Sequence, residues 1–292
     1  MRILVAGGNG QLGSEIIRLF KEKECSLGRI DHHYLDSEVI GRDKSLLDIT
    51  SLESVKKNLM EYKPHIVINT AAYTMVDQCE SNEDISFKVN SLGARNLAIA
   101  CDAIQAKLVH ISTDYVFDGE SKFPYREFDL PNPINIYGKS KYLGEDYVKQ
   151  FCSRYFIVRT GWLYGFTGKN FVRTIMKALK ERKTLQVVDD QIGSPTNAED
   201  LAYHILKLTF TDEYGIYHCT GNGECSWFEF AKAIIQYAQA DCKITPISSR
   251  DYNSIAQRPP YSTLDHMMLR CTIGDKMRDW TEALKDFIEK FT

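Results

Sequence analysis

Apolar residues in this chain follow two rhythms, short unbroken runs and stripes spaced by three and four, and the two alternate from the N-terminus onward. Ile3, Leu4 and Val5 form an unbroken run, as in a strand buried on both faces of a parallel sheet. Leu12, Ile16, Leu19 and Phe20 then share one helical face. Residues 38–41 predict a second strand. Leu52, Val55 and Leu59 predict a helix that Lys63-Pro64 stops, and Thr50-Ser-Leu-Glu53 ahead of it has the form of a capping box. A third strand is predicted over residues 65–72, a long helical stretch over 82–103, and a fourth strand over 107–112. This alternation implies an α/β fold, a doubly wound parallel Rossmann sheet with right-handed crossovers.

Beyond Gly165 the rhythm changes. Residues 170–182 and 197–210 read as helices with a strand over 185–188 between them, and 215–219 as a further strand. Ser226-Trp-Phe-Glu229 has the form of a second capping box, and Trp280, Leu284, Phe287, Ile288 and Phe291 stripe a closing helix. No linker rich in Pro, Gly and Ser separates the halves, so a second domain must pack closely on the first.

A length of 292 residues with 43% hydrophobic content allows ample core, and a net charge of -3 gives no general attraction to nucleic acid or anionic membrane. The eight cysteines lack a C-x-x-C pair or zinc-ligand spacing and read as small apolar residues in a reducing compartment, without metal or disulfide. No apolar run approaches the roughly 18 residues of a membrane span, and the first strand starts at Met1 without room for a signal peptide. The expected location is the cytoplasm.

Candidate chemistry starts where the first strand ends. Gly7, Gly10 and Gly13 are spaced by three, and Gly8, Gly10 and Gly13 fit G-x-G-x-x-G. Between a strand and a helix, such glycines allow a tight turn, close approach of a diphosphate to bare backbone, and free helix amides facing it. A purely structural turn is the alternative. At the end of the second strand a carboxylate would hold the ribose of NAD, whereas a cation favours the extra phosphate of NADP; Arg42 points to NADPH, against an exposed arginine balanced by Asp43.

Tyr137 and Lys141 are four apart, so both project from one face of a helix opened after Pro131-Asn-Pro133. An ammonium beside a phenol lowers its pKa, and a tyrosine so tuned can protonate a carbonyl oxygen as hydride reaches the carbon. Thr113, leaving the fourth strand, can share the hydrogen bond to that oxygen. A surface helix pair is the plain reading of any lone Y-x-x-x-K.

The glycine pattern, Ser112-Thr-Asp and Y-x-x-x-K occur in the order of the extended short-chain dehydrogenase/reductase superfamily, which they resemble. Five strings narrow this: Ser112-Thr-Asp-Tyr-Val-Phe-Asp-Gly119, Asn135-Ile-Tyr-Gly-Lys-Ser-Lys141, Arg159-Thr-Gly-Trp-Leu-Tyr-Gly165, Val187-Val-Asp-Asp-Gln-Ile-Gly-Ser-Pro195 and Arg258-Pro-Pro-Tyr-Ser262. Together they resemble the dTDP-4-dehydrorhamnose reductases. The similarity is weakest over residues 25–36 and 210–252.

The resemblance implies an NAD(P)-binding Rossmann domain over residues 1–165, to which the chain returns around 197–220, and a smaller α/β domain over 166–292 that mainly binds substrate. It gives Tyr137 as proton donor, Lys141 as the residue that tunes it and holds the nicotinamide ribose, and Thr113 as the third catalytic residue. It places Gly10, Gln11 and Leu12 at the cofactor diphosphate, Asp48 and Ile49 near adenine, and Ala71, Ala72 and Tyr73 near ribose and phosphates. Thr113, Asp114 and Trp162 would contact the deoxysugar, Arg258 and Ser262 its nucleotide diphosphate. Plain alternatives are a core tryptophan and a surface arginine.

The implied reaction is NADPH-dependent reduction, with NADH also possible, of the 4-keto group of dTDP-4-dehydro-L-rhamnose, a nucleotide-sugar substrate. Family members that dimerise allow a homodimer; some do so around magnesium, for which no local cluster appears here. Competing readings are a reductase or epimerase acting on another nucleotide sugar and a non-catalytic NADP-binding regulatory subunit. Tyr115, standing where sugar 4,6-dehydratases carry an acid, disfavours dehydration.

Overall fold

The structure is a computed structural model, described for residues 1–34 and 36–291. Its centre is a parallel sheet built from β1 (Arg2–Ala6), β2 (Glu38–Arg42), β3 (Ile66–Asn69), β4 (Lys107–Thr113), β5 (Tyr155–Thr160) and β7 (Gly215–His218), in the order β7-β5-β4-β3-β1-β2. The elements between them include α1 (Gln11–Glu22), α2 (Leu52–Tyr62), α3 (83–103), α4 (Ile136–Phe151), α5 (Phe171–Glu181), β6 (Thr184–Val188) and α6 (Ala198–Thr209). After β7 come α7 (Trp227–Tyr237), β8 (Lys243–Ile247) and α8 (Trp280–Phe291). The strand order reverses between β1 and β3, so the crevice beyond their carboxyl ends is the ligand position this architecture favours.

Side chains alternate across the sheet. Ile3, Val5, Ile66, Ile68, Val109 and Phe156 join one core with Ile16 and Leu19 of α1 and Leu201 and Ile205 of α6. Leu4, Ala6, Val67, Leu108 and Ile157 join another with Val55, Leu59, Leu97 and Val148. Burial on both faces explains why these strands read as unbroken apolar runs. A third core gathers Tyr164, Val172, Ile175, Leu185, Phe230, Ile234, Leu284 and Phe287 around α5, α7, α8 and the parallel pair β6–β8.

Two local features differ from the sequence expectation. Helix α2 is capped by Ser51, whose hydroxyl accepts from the amide of Ser54, so the Thr50–Glu53 box lies one residue out of register. Thr50 instead donates its hydroxyl to Asp48 at 2.8 Å. The stretch over 82–103 is helical, but residues Lys88–Leu92 form a π-helical turn between α-helical segments Glu83–Phe87 and Gly93–Ala103. The widened turn carries Asn90, which reaches Ser140 of α4 at 3.0 Å. The Ser226–Glu229 capping box is present on α7 with both of its hydrogen bonds.

Candidate active site

The glycine turn between β1 and α1 is a cradle with no room for side chains. Gly7 has φ of +78°, and a Cβ there would stand 2.8 Å from the amide nitrogen of Ala71. The amides of Gly7 and Gly8 donate to the carbonyl of Arg42 at 2.8 and 3.2 Å, tying the turn to the end of β2. Gly10 caps α1 without a side-chain hydrogen bond, so the first-turn amides stay open toward the crevice. Gly13 packs against the carbonyl of Gly7 and the Cα of Gly8; it shapes the turn without lining a cleft. These observations fit a dinucleotide diphosphate, held by backbone at Gly10, Gln11 and Leu12.

Two clefts meet at this turn, sharing Gly10, Thr70 and Ala72. One, of about 260 Å³, is lined by Gly7, Asn9, Asp48, Ile49, Thr50 and Ala71 among others and is the candidate adenosine cleft. The other, of about 440 Å³, contains Thr113, Asp114, Tyr137, Lys141 and Trp162. Residues far apart in sequence thus converge on one cavity, as the catalytic expectation requires.

Helix α4 presents Tyr137 and Lys141 because Asn135 starts it, its side chain accepting from the amide of Gly138 at 2.8 Å. The Lys141 ammonium donates to the carbonyl of Ile111 in β4 at 2.6 Å. Burial lowers its pKa to about 8, with the Glu145 carboxylate pulling the other way. Burial pushes the Tyr137 phenol above its ordinary value; the nearby Thr113 hydroxyl opposes this and Asp114 adds to it. The expected lowering of Tyr137 by Lys141 is therefore absent: the ammonium is turned to a backbone carbonyl, and burial dominates. A phenol held protonated is still the form a proton donor needs.

Strand register assembles the opposite wall. Thr113 pairs with Thr160, which brings Gly161 and Trp162 beside Asp114. A Cβ on Gly161 would lie 2.7 Å from the Asp114 carboxyl carbon. Thr113 donates to Asp114 Oδ1 at 2.9 Å, while Asp114 Oδ2 is buried without a hydrogen-bond partner. Burial raises the Asp114 pKa to about 6, opposed by the neighbouring Ser262 and Thr113 hydroxyls. Trp162 has φ of +48° and stacks on Trp227, ring centroids 3.4 Å apart and planes 3° from parallel.

Some expected residues lie elsewhere. Arg42 lines a separate cleft with Ser51, Ser54, Lys57 and Glu61 and is absent from the lining of the adenosine cleft. Tyr73 lines neither site cleft; its amide donates to Asn90 and its hydroxyl to Gln78. Arg258 is paired with Asp77 at 2.9 Å, with its guanidinium outside the cavity lining, and Ser262 stands behind Asp114. Conversely, Trp227, Lys169 and Thr70 line the main cleft, and Lys44 the adenosine cleft, without having been picked out of the sequence. Trp227 was legible only as a helix start, since nothing local announces its partner Trp162.

Comparisons with known proteins match the chain along its whole length. A family model described as the RmlD substrate binding domain matches residues 1–292. The spore coat polysaccharide biosynthesis protein SpsK of Bacillus subtilis (strain 168) is 40% identical, over 99% of this chain and 97% of its own length. A dTDP-4-dehydrorhamnose reductase from Clostridium acetobutylicum superposes with a TM-score of 0.94 at 45% identity, covering 100% of this chain and 99% of that one. One from Bacillus anthracis str. Ames, solved in complex with NADP, gives 0.92 at 45% identity, covering 99% of each chain. With a family match along its whole length, the chain belongs to the RmlD substrate binding domain family, that of the dTDP-4-dehydrorhamnose reductases.

Proposed function

We propose that this protein reduces the 4-keto group of dTDP-4-dehydro-L-rhamnose to give dTDP-L-rhamnose, using NADPH or NADH. The observation that carries the reading is the convergence of Thr113, Tyr137 and Lys141 on the cleft that also holds the glycine turn. A bound nicotinamide cofactor supplies the hydride. Tyr137, kept protonated by burial, gives its proton to the sugar O4, and Thr113 positions that oxygen by a second hydrogen bond. Lys141, on the same face of α4, would stabilise the phenolate left behind once its ammonium swings from the Ile111 carbonyl toward the cleft.

The substrate enters from the side of the Trp162–Trp227 stack, whose apolar faces suit a 6-methyl group, while Asp114 Oδ2 awaits a sugar hydroxyl. Residues 1–165 are proposed to supply the cofactor side and 166–292 mainly the substrate side, with α6 and β7 returning to the sheet. Arg258 would reach the nucleotide diphosphate after releasing Asp77. The free cysteines and the need for reduced cofactor support a cytoplasmic setting; among the described residues no helix is long and apolar enough to cross a membrane.

Mass spectrometry of the sugar product formed from enzymatically prepared dTDP-4-dehydro-L-rhamnose and NADPH tests the reading. A product two hydrogens heavier that co-elutes with dTDP-L-rhamnose is expected. Unchanged substrate, with protein that is folded and binds cofactor, would redirect the assignment to another nucleotide sugar or to a regulatory subunit.

A further inference from the structure

The loop after β2 carries two cations, and the fold sends them to different places. The carbonyl of Arg42 is committed to the glycine turn, and its side chain lines the cleft beside α2 with Ser51, Ser54 and Lys57. Lys44, two residues on, lines the adenosine cleft together with Asn9, Asp43, Asp48 and Thr50. It is exposed at the rim and holds no ion pair among the described residues, while its charge is felt by the Asp48 carboxylate.

Asp43, between them, is a carboxylate next to the strand-end position at which an acid selects an unphosphorylated ribose. Here its Oδ1 accepts the amide and hydroxyl of Ser45 at 2.9 and 2.6 Å, and its Oδ2 accepts the Asn9 amide group at 2.9 Å. The carboxylate caps its own turn, so its repulsion toward a second anion is blunted. Lys88, the other cation near Asp48, stands outside the cleft lining.

We propose that Lys44, and not Arg42, reads the 2'-phosphate of NADPH, with Asp43 held in its turn so that NADH is also accepted. This deepens the cofactor reading above and rests on it. A flexible ammonium suits the task, since it meets a phosphate as a point charge and swings into water when none is present.

The test is binding, independent of turnover: dissociation constants of NADPH, NADH, 2',5'-ADP and 5'-ADP for the full chain and for Lys44→Ala, Lys44→Gln, Arg42→Ala and Lys88→Ala. For both Lys44 variants we expect NADPH and 2',5'-ADP to weaken by about ten- to a hundredfold, the range of one charge-assisted contact, with NADH and 5'-ADP within about twofold. Arg42→Ala and Lys88→Ala should leave the NADPH-to-NADH ratio unchanged. Equal losses for both dinucleotides in the Lys44 variants, no loss in either, or a selective NADPH loss in Arg42→Ala would overturn the proposal. Failure of the unmodified protein to bind any dinucleotide would instead remove the cofactor reading itself.

Discussion

The carboxylate of Glu145 and the guanidinium of Arg159 form a buried ion pair at 2.7 Å, both side chains almost fully enclosed. Glu145 Oε1 also accepts Arg159 Nε at 2.9 Å and the Ser112 hydroxyl at 2.5 Å. The pair thus fastens α4, which carries Tyr137 and Lys141, to β4 and β5, which lead to Thr113 and Trp162. Removing one partner of such a pair leaves an uncompensated buried charge. Arg159→Met should lower unfolding free energy by about 3–5 kcal/mol in urea melts, and replacing both partners by apolar residues of similar volume should recover most of it. A single variant as stable as the unmodified protein would contradict this.

Lys141 is proposed to act as a cation, and burial depresses its folded pKa to about 8. The ammonium is lost as pH rises through that value, so kcat/KM should fall on the alkaline side. Glu145 raises the Lys141 pKa, so Glu145→Gln should move the alkaline limb to lower pH. A limb that stays fixed, or moves upward, would detach Lys141 from the profile.

Asp114 is a buried carboxyl whose folded pKa, about 6, lies above the ordinary 3.8. A raised pKa favours folding at low pH, and that advantage is lost as pH climbs through the folded value. Asp114→Asn should therefore gain stability relative to the unmodified protein between about pH 4 and pH 6, reaching at most about 3 kcal/mol by neutrality, while substrate binding weakens. Paired thermal melts across this range measure it; a difference independent of pH would mean that the carboxyl is not strained by burial.

Trp227 contributes one ring of the indole stack and lines the main cleft. Trp227→Leu should raise KM for the nucleotide sugar by about two- to tenfold, the scale of one aromatic contact, with NADPH affinity unchanged. An effect on cofactor affinity instead would place the stack on the wrong side of the cleft.

Much of this was legible in the chain because backbone and short-range patterns carried it. The apolar runs of β1, β3 and β4 mark strands buried on both faces, and the four-residue spacing of Tyr137 and Lys141 puts them on one helical face whatever surrounds them. What a side chain does at the end of a loop was not legible. Arg42 and Lys44 are equally cationic in sequence, and only the loop's path after Gly41 decides which one meets the adenosine cleft. Thr50 and Ser51 are both able to cap α2, and the turn held by Asp48 selects the second. Neither Arg258's attachment to Asp77 nor the Glu145–Arg159 pair has a local signature, since each joins residues that only the fold brings together.

The most direct measurement is NADPH oxidation with dTDP-4-dehydro-L-rhamnose by the unmodified protein and by Tyr137→Phe, with NADPH affinity measured on both. The account predicts turnover by the unmodified protein, retained cofactor binding in the variant, and a kcat lower by at least about a hundredfold, the lower range for a lost general acid. A variant that turns over at the unmodified rate would show that Tyr137 does not deliver the proton, and the cleft would need a different chemistry.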